Sequence, residues 1–423
     1  MDKVQQEVDK LYKSHYGKMV ASLLYFSQDI DLETAEDLVQ DSFSSALTAW
    51  KENAIPSNPA GWIFTVCRNK ALNKIKEGKR FRTLFEDEDF KSGEVNLSAR
   101  QAGISESAIQ DQQLKLLFAC AHPDLSPKVQ VVITLKYVVN LKVEAIAKIL
   151  GMSIDGIDKL LVRARQKIRD EKILLKEPDT PALKLRIPIV HKIIYLIFNE
   201  GYKSSWGKEL VREELCEEAL LMNKALLDSK FGNKETAALH ALMLFNAARF
   251  KSRFDAAGEL LDLEEQDRSL WDKDLILLAC DLLDQSRGNV ASSYHFEASI
   301  AYLHCSAKSF DVTDWTTITK LYHQLLETNP NPFVELNYAI ALYYSGKKQN
   351  ALKILNALQQ NPFLNQYYLL NATLGKINFL EGNYIKAKDF FLKTLGQTNF
   401  QVEKNFILKM LDKVNNLKKS MEN

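Results

Sequence analysis

The sequence is poor in the residues that interrupt helices. Its 423 residues include only 16 glycines and 10 prolines, and both residue types are unfavourable inside helices. Hydrophobic residues make up 46% of the chain and charged residues 26%, which is typical of a globular protein. The scarcity of helix breakers therefore predicts an all-α fold, and the length predicts about two to four domains.

Cysteines are also few, and hydrophobic runs are short. The five cysteines are widely spaced and form no C-x-x-C pair, so neither a zinc site nor a disulfide framework is expected. No apolar run reaches the roughly 18 residues of a membrane helix, and the polar N-terminal residues do not resemble a signal peptide. These absences predict a cytoplasmic protein with reduced thiols and no membrane association.

The common catalytic patterns are missing from the sequence. None of the seven histidines lies in an H-E-x-x-H motif, and no glycine-rich phosphate loop is present. We therefore expect neither an enzyme nor a protein that needs a metal ion or another cofactor.

Charge is unevenly distributed, although the formal net charge is only +1. Glu77 is the only acidic residue between residues 62 and 82, where seven basic residues occur. Aromatic residues, among them Trp62 and Phe64, are interleaved with these cations, a pattern typical of proteins that stack single-stranded bases. The alternative is a core helix with a solvated basic tail, and for Trp62 and Val66 we expect burial in the core.

Periodicity and composition divide the chain into four segments. Apolar residues recur at helical spacing in residues 1–82 and again in residues 111–176. Residues 83–110 are acidic at first and then small and polar, with weak periodicity, so we interpret them as a linker. Residues 183–423 are predicted to continue as one helix after another.

Two dipeptides mark the starts of helices within these segments. They are Asn58-Pro59 and Ser126-Pro127. In each, a side chain that can cap a helix precedes a proline at the first helical position.

The segment from Leu141 to Asp170 has the pattern of a helix-turn-helix. Gly151 suits the left-handed residue that ends the first helix, and Ser153 can cap the second helix. In such a motif the second helix enters the major groove of DNA with its N-terminal residues toward the base edges. The alternative is an ordinary amphipathic hairpin of two helices that binds no DNA.

An internal repeat occurs near the C-terminus. Gly346 and Ala351 recur as Gly382 and Ala387, an offset of 36 residues, which is close to the period of about 34 in tetratricopeptide repeats. The pattern predicts tetratricopeptide-like (TPR-like) repeats, clearest at 330–398. The alternative is an irregular helical array.

Three segments together resemble one known family. AEDLVQDSFSSALTAW (35–50) resembles the region 2 helix by which sigma factors bind the polymerase clamp, and NPAGWIFTVCRNKALNKIKEGKR (58–80) resembles the adjoining promoter-melting segment. The helix-turn-helix, with the helix before it, resembles region 4, which reads the upstream promoter element. The order and spacing are those of extracytoplasmic-function sigma factors of the sigma-70 superfamily. One subgroup of these proteins carries a C-terminal TPR-like helical extension.

The resemblance implies two small helical sigma domains followed by a helical-repeat domain. Residues 1–82 would bind core RNA polymerase and would recognise and melt the −10 element. Residues 83–110 would be the acidic linker, residues 111–176 would read the −35 element, and residues 183–423 would form the extension. Core RNA polymerase and promoter DNA are thus the expected partners.

Individual residues receive roles from the same resemblance. It implies polymerase contacts by Asp37, Gln40 and Asp41. The −10 element and its melted strand would be contacted by Arg68, Asn69, Asn73, Lys76, Lys79 and Arg80. The −35 element would be contacted by Ser153, Asp155, Asp158, Lys159, Arg163 and Arg165. The chain departs from the subgroup at Leu160, where arginine is usual, and Asp158 adds a negative charge near the groove.

The extension has candidate residues of its own, in two segments that resemble signatures of the subgroup. These candidates are Asn199, Glu200, Tyr202, Asp267, Arg268, Trp271 and Asp272. They are interpreted either as a regulatory site that binds a peptide or protein ligand, or as helix caps beside a packed tryptophan. We expect the extension to regulate sigma activity in cis.

Two other functions fit parts of the sequence. A helix-turn-helix transcription regulator with a TPR-like sensor domain would explain residues 111–176 and 183–423. It would leave residues 1–82 without a function. A protein-interaction scaffold would leave the basic helix unexplained. Co-elution with core polymerase would distinguish a sigma factor from both.

Overall fold

The computed structural model describes residues 2–27, 29–83, 106–173, 175, 180–204, 210–362 and 364–422. Within these residues the protein has eighteen α-helices and a single isolated β-bridge, so the predicted all-α class is confirmed. The chain forms two compact units. Unit 1 comprises Met1–Gly201 with Glu217–Phe231, and unit 2 comprises Tyr202–Cys216 with Gly232–Asn423.

Unit 1 begins with three helices that pack on one another. They are α1 (Lys3–Phe26), α2 (Leu32–Asn53) and α3 (Pro59–Thr83). The predicted start at Asn58-Pro59 is confirmed, since α3 begins at Pro59 and the Asn58 Oδ1 accepts a hydrogen bond from the Gly61 amide at 2.9 Å. Burial of one stripe of α2, which includes Val39, Phe43 and Trp50, holds the three helices together.

Four further helices of unit 1 contain the predicted helix-turn-helix. They are α4 (Glu106–Cys120), α5 (Pro127–Tyr137), α6 (Val143–Ile149) and α7 (Ile154–Asp170). The turn has the predicted chemistry, because Gly151 adopts a left-handed φ of 61° and the Ser153 hydroxyl accepts from the Gly156 amide at 3.1 Å. Ser126 caps α5 as predicted. Most of the predicted linker, residues 84–105, lies outside the described residues, and α4 begins at Glu106, earlier than expected.

The next helices are α8 (Thr180–Tyr202) and α9 (Glu213–Asp228). In unit 1 the part of α8 up to Gly201 contacts α4, because the buried Arg186 donates to the Phe118 carbonyl oxygen at 2.8 Å. The second half of α9 also contacts α4, since Gln113 Nε2 of α4 donates to Glu218 Oε1 of α9 at 2.6 Å. The start of the predicted extension thus covers α4 within this unit.

The remaining helices belong to unit 2, and consecutive members pack on each other. They are α10 (Lys234–Ala247), α11 (Lys273–Gln285), α12 (Ser293–Ser306), α13 (Trp315–Thr328), α14 (Pro332–Tyr344), α15 (Lys348–Leu358), α16 (Tyr368–Leu380), α17 (Tyr384–Leu395) and α18 (Gln401–Glu422).

One stretch of unit 2 departs from the expectation of uninterrupted helices. Between α10 and α11 the chain forms two short 3-10 helices and an antiparallel bridge between Phe254 and Leu260. The reverse turn there contains Gly258, whose positive φ of 79° is a conformation that favours glycine. The stretch is anchored to α16, where Lys376 pairs with Asp262 at 2.6 Å and with Glu264 at 2.8 Å. These long-range ion pairs have no local sequence signal.

The predicted repeat corresponds to two helical pairs, α14 with α15 and α16 with α17. Gly346 and Gly382 have φ values of 87° and 75° in the turns that join each pair. Gly375 lies where α16 crosses α17, and a β-carbon there would come within 2.6 Å of the Phe391 ring. The TPR-like classification itself stays a prediction.

Two further expectations concern membranes and thiols. Among the residues that the structure describes, no helix combines the length and apolarity needed to cross a bilayer. All five cysteines are free thiols, and three of them are buried. Burial raises the pKa of the Cys67 thiol to about 11, so this group is protonated at neutral pH.

Candidate nucleic-acid interface

The three residues predicted to contact polymerase lie on one exposed side of α2. Asp37, Gln40 and Asp41 are spaced three and four residues apart, and all are exposed. The Asp41 carboxylate accepts a hydrogen bond from Lys70 Nζ on α3. Gln40 Nε2 donates to the Glu36 carboxylate at 3.2 Å. The side of α2 that faces solvent therefore carries an acidic group whose position is set by α3.

The residues predicted to contact the −10 element divide into two sets on α3. Asn69, Asn73 and Lys76 recur at intervals of four and three residues on one exposed face. Arg68 is half-buried, with its guanidinium 5.5 Å from the centre of the Phe26 ring. The side chains of the remaining two predicted residues, Lys79 and Arg80, lie outside the described residues.

Amide and ammonium groups on one exposed face can bind bases and phosphates together. Asparagine offers a donor and an acceptor to a base edge, and lysine offers a cation to the backbone. The opposite face of α3 supplies the core through Ile63, Cys67 and Ala71. Trp62 is half-buried rather than in the core, and its ring lies 5.6 Å from that of Trp50 in an edge-to-face arrangement.

Five of the six residues predicted to contact the −35 element are exposed at the N-terminal side of α7. They are Ser153, Asp155, Asp158, Lys159 and Arg163. Lys159 pairs with Asp155 at 2.7 Å across one turn of the helix. The ion pair neutralises Lys159 and Asp155, and the exposed Asp158 is left as a negative charge on the first two turns.

Arg165 is the exception among these six residues. Its side chain is 26% exposed, and its Nη1 lies 3.3 Å from the Glu33 carboxylate of α2. In this structure Arg165 is therefore engaged within the protein and is not presented to a ligand. The contact could not be predicted, because Glu33 and Arg165 are far apart in sequence.

The exposed face of α7 contains two residues that were not predicted. Val162 is 57% exposed, and Gln166, one turn later, is also exposed. An exposed apolar side chain on such a helix can contact a thymine methyl group. The helical period of α7 could have identified both, because they lie opposite the buried Ile157, Leu161 and Ala164.

Comparisons with known proteins identify two segments of the chain. Residues 11–81 match the family model of Sigma-70 region 2, and residues 115–168 match that of Sigma-70, region 4. RNA polymerase sigma factor YlaC of Bacillus subtilis (strain 168) is 24% identical over 183 residues, which are 42% of this chain and 98% of that protein. The chain belongs to the sigma-70 family. It is a sigma factor of the extracytoplasmic-function-like group, as the resemblance indicated.

The C-terminal part of this sigma factor has its own matches. Residues 186–287 match a family of unknown function, DUF6596, so the extension contains a separate domain. An uncharacterized protein of Rhizobium meliloti (strain 1021) is 30% identical over 409 residues, which are 96% of this chain and 95% of that protein. The whole architecture therefore recurs in that protein. Membership in the family points to a transcription factor rather than to an enzyme.

The candidate residues at the end of α8 differ in exposure. In unit 1, Asn199 is exposed, whereas Glu200 is only 4% exposed. In unit 2, the Tyr202 ring lies 4.0 Å from the Arg253 guanidinium, which also donates to the Tyr202 carbonyl oxygen. Tyr202 therefore anchors the stretch between α10 and α11.

The second group of candidates in the sigma factor's extension makes local structural contacts in unit 2. Asp267 caps a 3-10 helix by accepting from the Ser269 amide at 2.8 Å, and Asp272 caps α11. Arg268 Nη1 donates to the carbonyl oxygens of His304 and Ala307 at 2.5 and 2.7 Å. These contacts agree with the interpretation of the segment as caps.

Trp271 is the packed tryptophan beside those caps. It is 3% exposed, and its Nε1 donates to the Ser252 hydroxyl at 2.7 Å. The guanidinium of Arg268 lies 4.7 Å from the centre of its ring. A ligand-binding role for this group of residues stays a prediction.

Proposed function

We propose that this sigma factor binds core RNA polymerase and directs transcription initiation at promoters with two separate elements. The α2 face with Asp37 and Asp41 docks on the polymerase, where its acidic groups meet basic side chains. The α3 face with Asn69 and Asn73 holds the −10 element and its opened strand. The exposed side of α7 reads the −35 element as duplex in the major groove.

The observation that supports the proposal is the presence of two helices with exposed polar and basic faces, α3 and α7, in two different sigma modules. We define the region 2 module as residues 11–81 and the region 4 module as residues 115–168. Each presents an exposed helix face with polar and basic side chains. A regulator that binds duplex promoter alone needs one such helix and has no use for the α2 and α3 faces.

The test is transcription in a defined mixture. The purified protein, core polymerase and a library of promoter fragments are incubated with nucleotides, and the transcripts are sequenced. We expect starts at a subset of promoters that share two elements at a fixed spacing. Absence of any start that depends on the protein, together with binding to duplex DNA without polymerase, would favour the regulator with a sensor domain instead.

We also propose that the extension regulates this activity in cis, through its contacts with α4, the helix that leads into the region 4 module. The part of α9 in unit 1 reaches α4 through the hydrogen bond between Glu218 and Gln113, whose side chain is buried. A hydrogen bond to a charged group contributes roughly 1.5–3 kcal/mol. Changes in the extension can therefore change the stability of α4. A peptide or protein ligand of the extension stays a prediction.

The variant Glu218→Ala tests this regulation. It removes the contact with α4, whereas the control Asp228→Ala removes only an exposed ion pair with Lys224 on the same helix. We expect Glu218→Ala to change transcript yield at least about tenfold, in line with a loss of roughly 1.5 kcal/mol or more. Equal transcript yields from the two variants and the wild-type protein would contradict regulation through α4.

A further inference from the structure

A cavity of about 350 Å³ lies in unit 1 beside the C-terminal end of α7, and we call it the α7 cavity. Aliphatic side chains provide its apolar lining, and all of them except Ile168 are buried. They are Leu24, Ile30, Leu32, Ile168, Ile173 and Leu175. Small-molecule sites in proteins are concave, mostly apolar and roughly 300–1,000 Å³ in volume. The size and the lining of this cavity are therefore those of a ligand site.

The turn that ends α7 forms one wall of the α7 cavity. The Ile173 amide donates to the Ile168 carbonyl oxygen at 2.9 Å. The Lys172 amide donates to the Arg169 carbonyl oxygen at 3.2 Å. These two hydrogen bonds define a Schellman motif, in which the residue after the turn packs on the last turn of the helix. Ile168 and Ile173 consequently line the cavity together.

Lys172 holds the left-handed position of this motif, with a φ of 50°. Glycine is the usual residue there, because a β-carbon makes the conformation unfavourable. Lys172 lies at the edge of the α7 cavity and is exposed to solvent. The backbone of the turn, rather than an ion pair, thus fixes where this cation lies.

The charged residues at the edge of the α7 cavity do not balance. Arg165 lies 3.3 Å from Glu33, and Arg169 lies 3.7 Å from Glu33 and 3.9 Å from Asp31. Both acidic groups are therefore paired with arginines of α7. Within the part of the chain that the structure describes, Lys172 Nζ has no acidic partner. Three cations face two acids, so the edge carries one uncompensated positive charge.

The lining and this charge together select the chemistry of a ligand. A polar body, such as a sugar, would lose its hydrogen bonds to water against aliphatic side chains, which is unfavourable. A hydrocarbon chain loses no hydrogen bonds there and gains the free energy of leaving water. Lys172 would repel a cationic headgroup, whereas an anionic headgroup can accept a hydrogen bond from its ammonium group.

We propose that the α7 cavity binds a medium-chain aliphatic monocarboxylate. The hydrocarbon chain lies among the aliphatic side chains of the lining, and the carboxylate accepts a hydrogen bond from Lys172 Nζ. Arg165 and Arg169 stay with their acidic partners, so a single cation meets a single negative charge. The site adds a small-molecule ligand to a protein whose proposed partners are polymerase and promoter DNA.

Isothermal titration calorimetry of the full-length protein with decanoate, below its micelle concentration, measures the binding. We expect a single saturable site. In the series hexanoate, octanoate and decanoate, affinity should rise about fourfold for each methylene group, which corresponds to the hydrophobic free energy of burying that group. Octanol lacks the charge of octanoate and octylammonium reverses it, so both should bind more weakly than octanoate.

Two variants remove the two parts of the site separately. Ile168→Trp fills the cavity with a larger side chain, and its control Leu185→Trp places the same indole at a position of unit 1 that is 83% exposed. Lys172→Asn removes the ammonium group and keeps a residue that tolerates the left-handed backbone. Its control Lys172→Arg keeps the charge at the same position.

The expected losses follow from the group that each variant removes. Ile168→Trp should weaken decanoate binding at least about tenfold, as expected when two methylene groups are excluded from the cavity. Lys172→Asn should weaken it about three- to tenfold, because a hydrogen bond to a charged group is lost at a solvated edge. The two control variants should bind decanoate within about twofold of the wild-type affinity.

Several results would overturn the proposal. These are the absence of saturable binding of decanoate, equal affinities of Ile168→Trp and the wild-type protein, and tighter binding of octylammonium than of octanoate. Thermal unfolding checks that each variant is folded, and the chain-length series with Lys172→Asn decides the matter even if Ile168→Trp does not fold. The titrations contain neither polymerase nor DNA, so their failure leaves the proposed sigma function standing, and a failure of transcription leaves the carboxylate site standing.

Discussion

Replacing Asp41 by alanine separates an intramolecular role of this carboxylate from a role in polymerase binding. In the structure Asp41 is 62% exposed and pairs with Lys70, which is 28% exposed. An exposed pair of this kind contributes about 0.2–1 kcal/mol to stability. If that pair were its only role, Asp41→Ala and Lys70→Ala would have the same small effect.

Docking on polymerase predicts a different result for the two variants. A carboxylate that is desolvated against a basic partner costs about 2–5 kcal/mol when it is truncated. Asp41→Ala should therefore weaken binding to core polymerase at least about thirtyfold, mainly through faster dissociation. Lys70→Ala removes the internal pair but leaves the carboxylate, so its affinity should stay within about threefold of the wild-type value.

The assay is biolayer interferometry with immobilised core polymerase and the full-length variants in solution. Thermal unfolding of each variant provides the control for stability. Affinities of Asp41→Ala and Lys70→Ala that agree within a factor of about three would refute a polymerase contact at this position.

Two further predictions concern DNA and pH. Asn73→Ala should lower the yield of open promoter complexes by roughly 5- to 150-fold, the range for losing one base contact of 1–3 kcal/mol; the exposed Asn289 provides a control alanine variant, and equal yields would contradict the assignment. Burial beside Arg249 and Arg268 lowers the pKa of His304 to about 3, so between that pH and about 6.5 the unfolded chain binds a proton that the folded chain does not. Thermal stability should consequently fall as pH drops through this window, and it should fall less in His304→Gln; parallel melting curves for the two proteins would refute the argument.

Local features of the fold were predictable from short sequence patterns. Asn58 and Ser153 each accept a hydrogen bond from the amide three residues later. The left-handed turn at Gly151 likewise depends only on its own backbone. For this reason the helix starts and the helix-turn-helix could be inferred from sequence alone.

The contacts that decide the candidate site depend on distant residues. Glu33 suits a helix N-terminus in its own right, and its ion pairs with Arg165 and Arg169 have no sequence signal. Gly17 has no feature that distinguishes it from an ordinary helix glycine until Val138 is placed beside it. Packing between modules is set by long-range burial, which periodicity does not encode.

The extension shows the same division between local and distant contacts. Asp267 and Asp272 were recognisable as possible caps because their partners follow them directly. The partners of Arg268 are carbonyl oxygens at the end of α12. Every residue has such a backbone acceptor, so these contacts could not be predicted from the sequence.

A footprint of the open complex on a selected promoter tests the two-module account most directly. Core polymerase, the full-length protein and end-labelled promoter DNA are probed with hydroxyl radicals for protection and with permanganate for unpaired thymines. The account predicts two regions whose protection depends on this protein, centred about 25 base pairs apart, with unpaired thymines only at the downstream one. A single protected region, or two regions without unpaired bases, would contradict it.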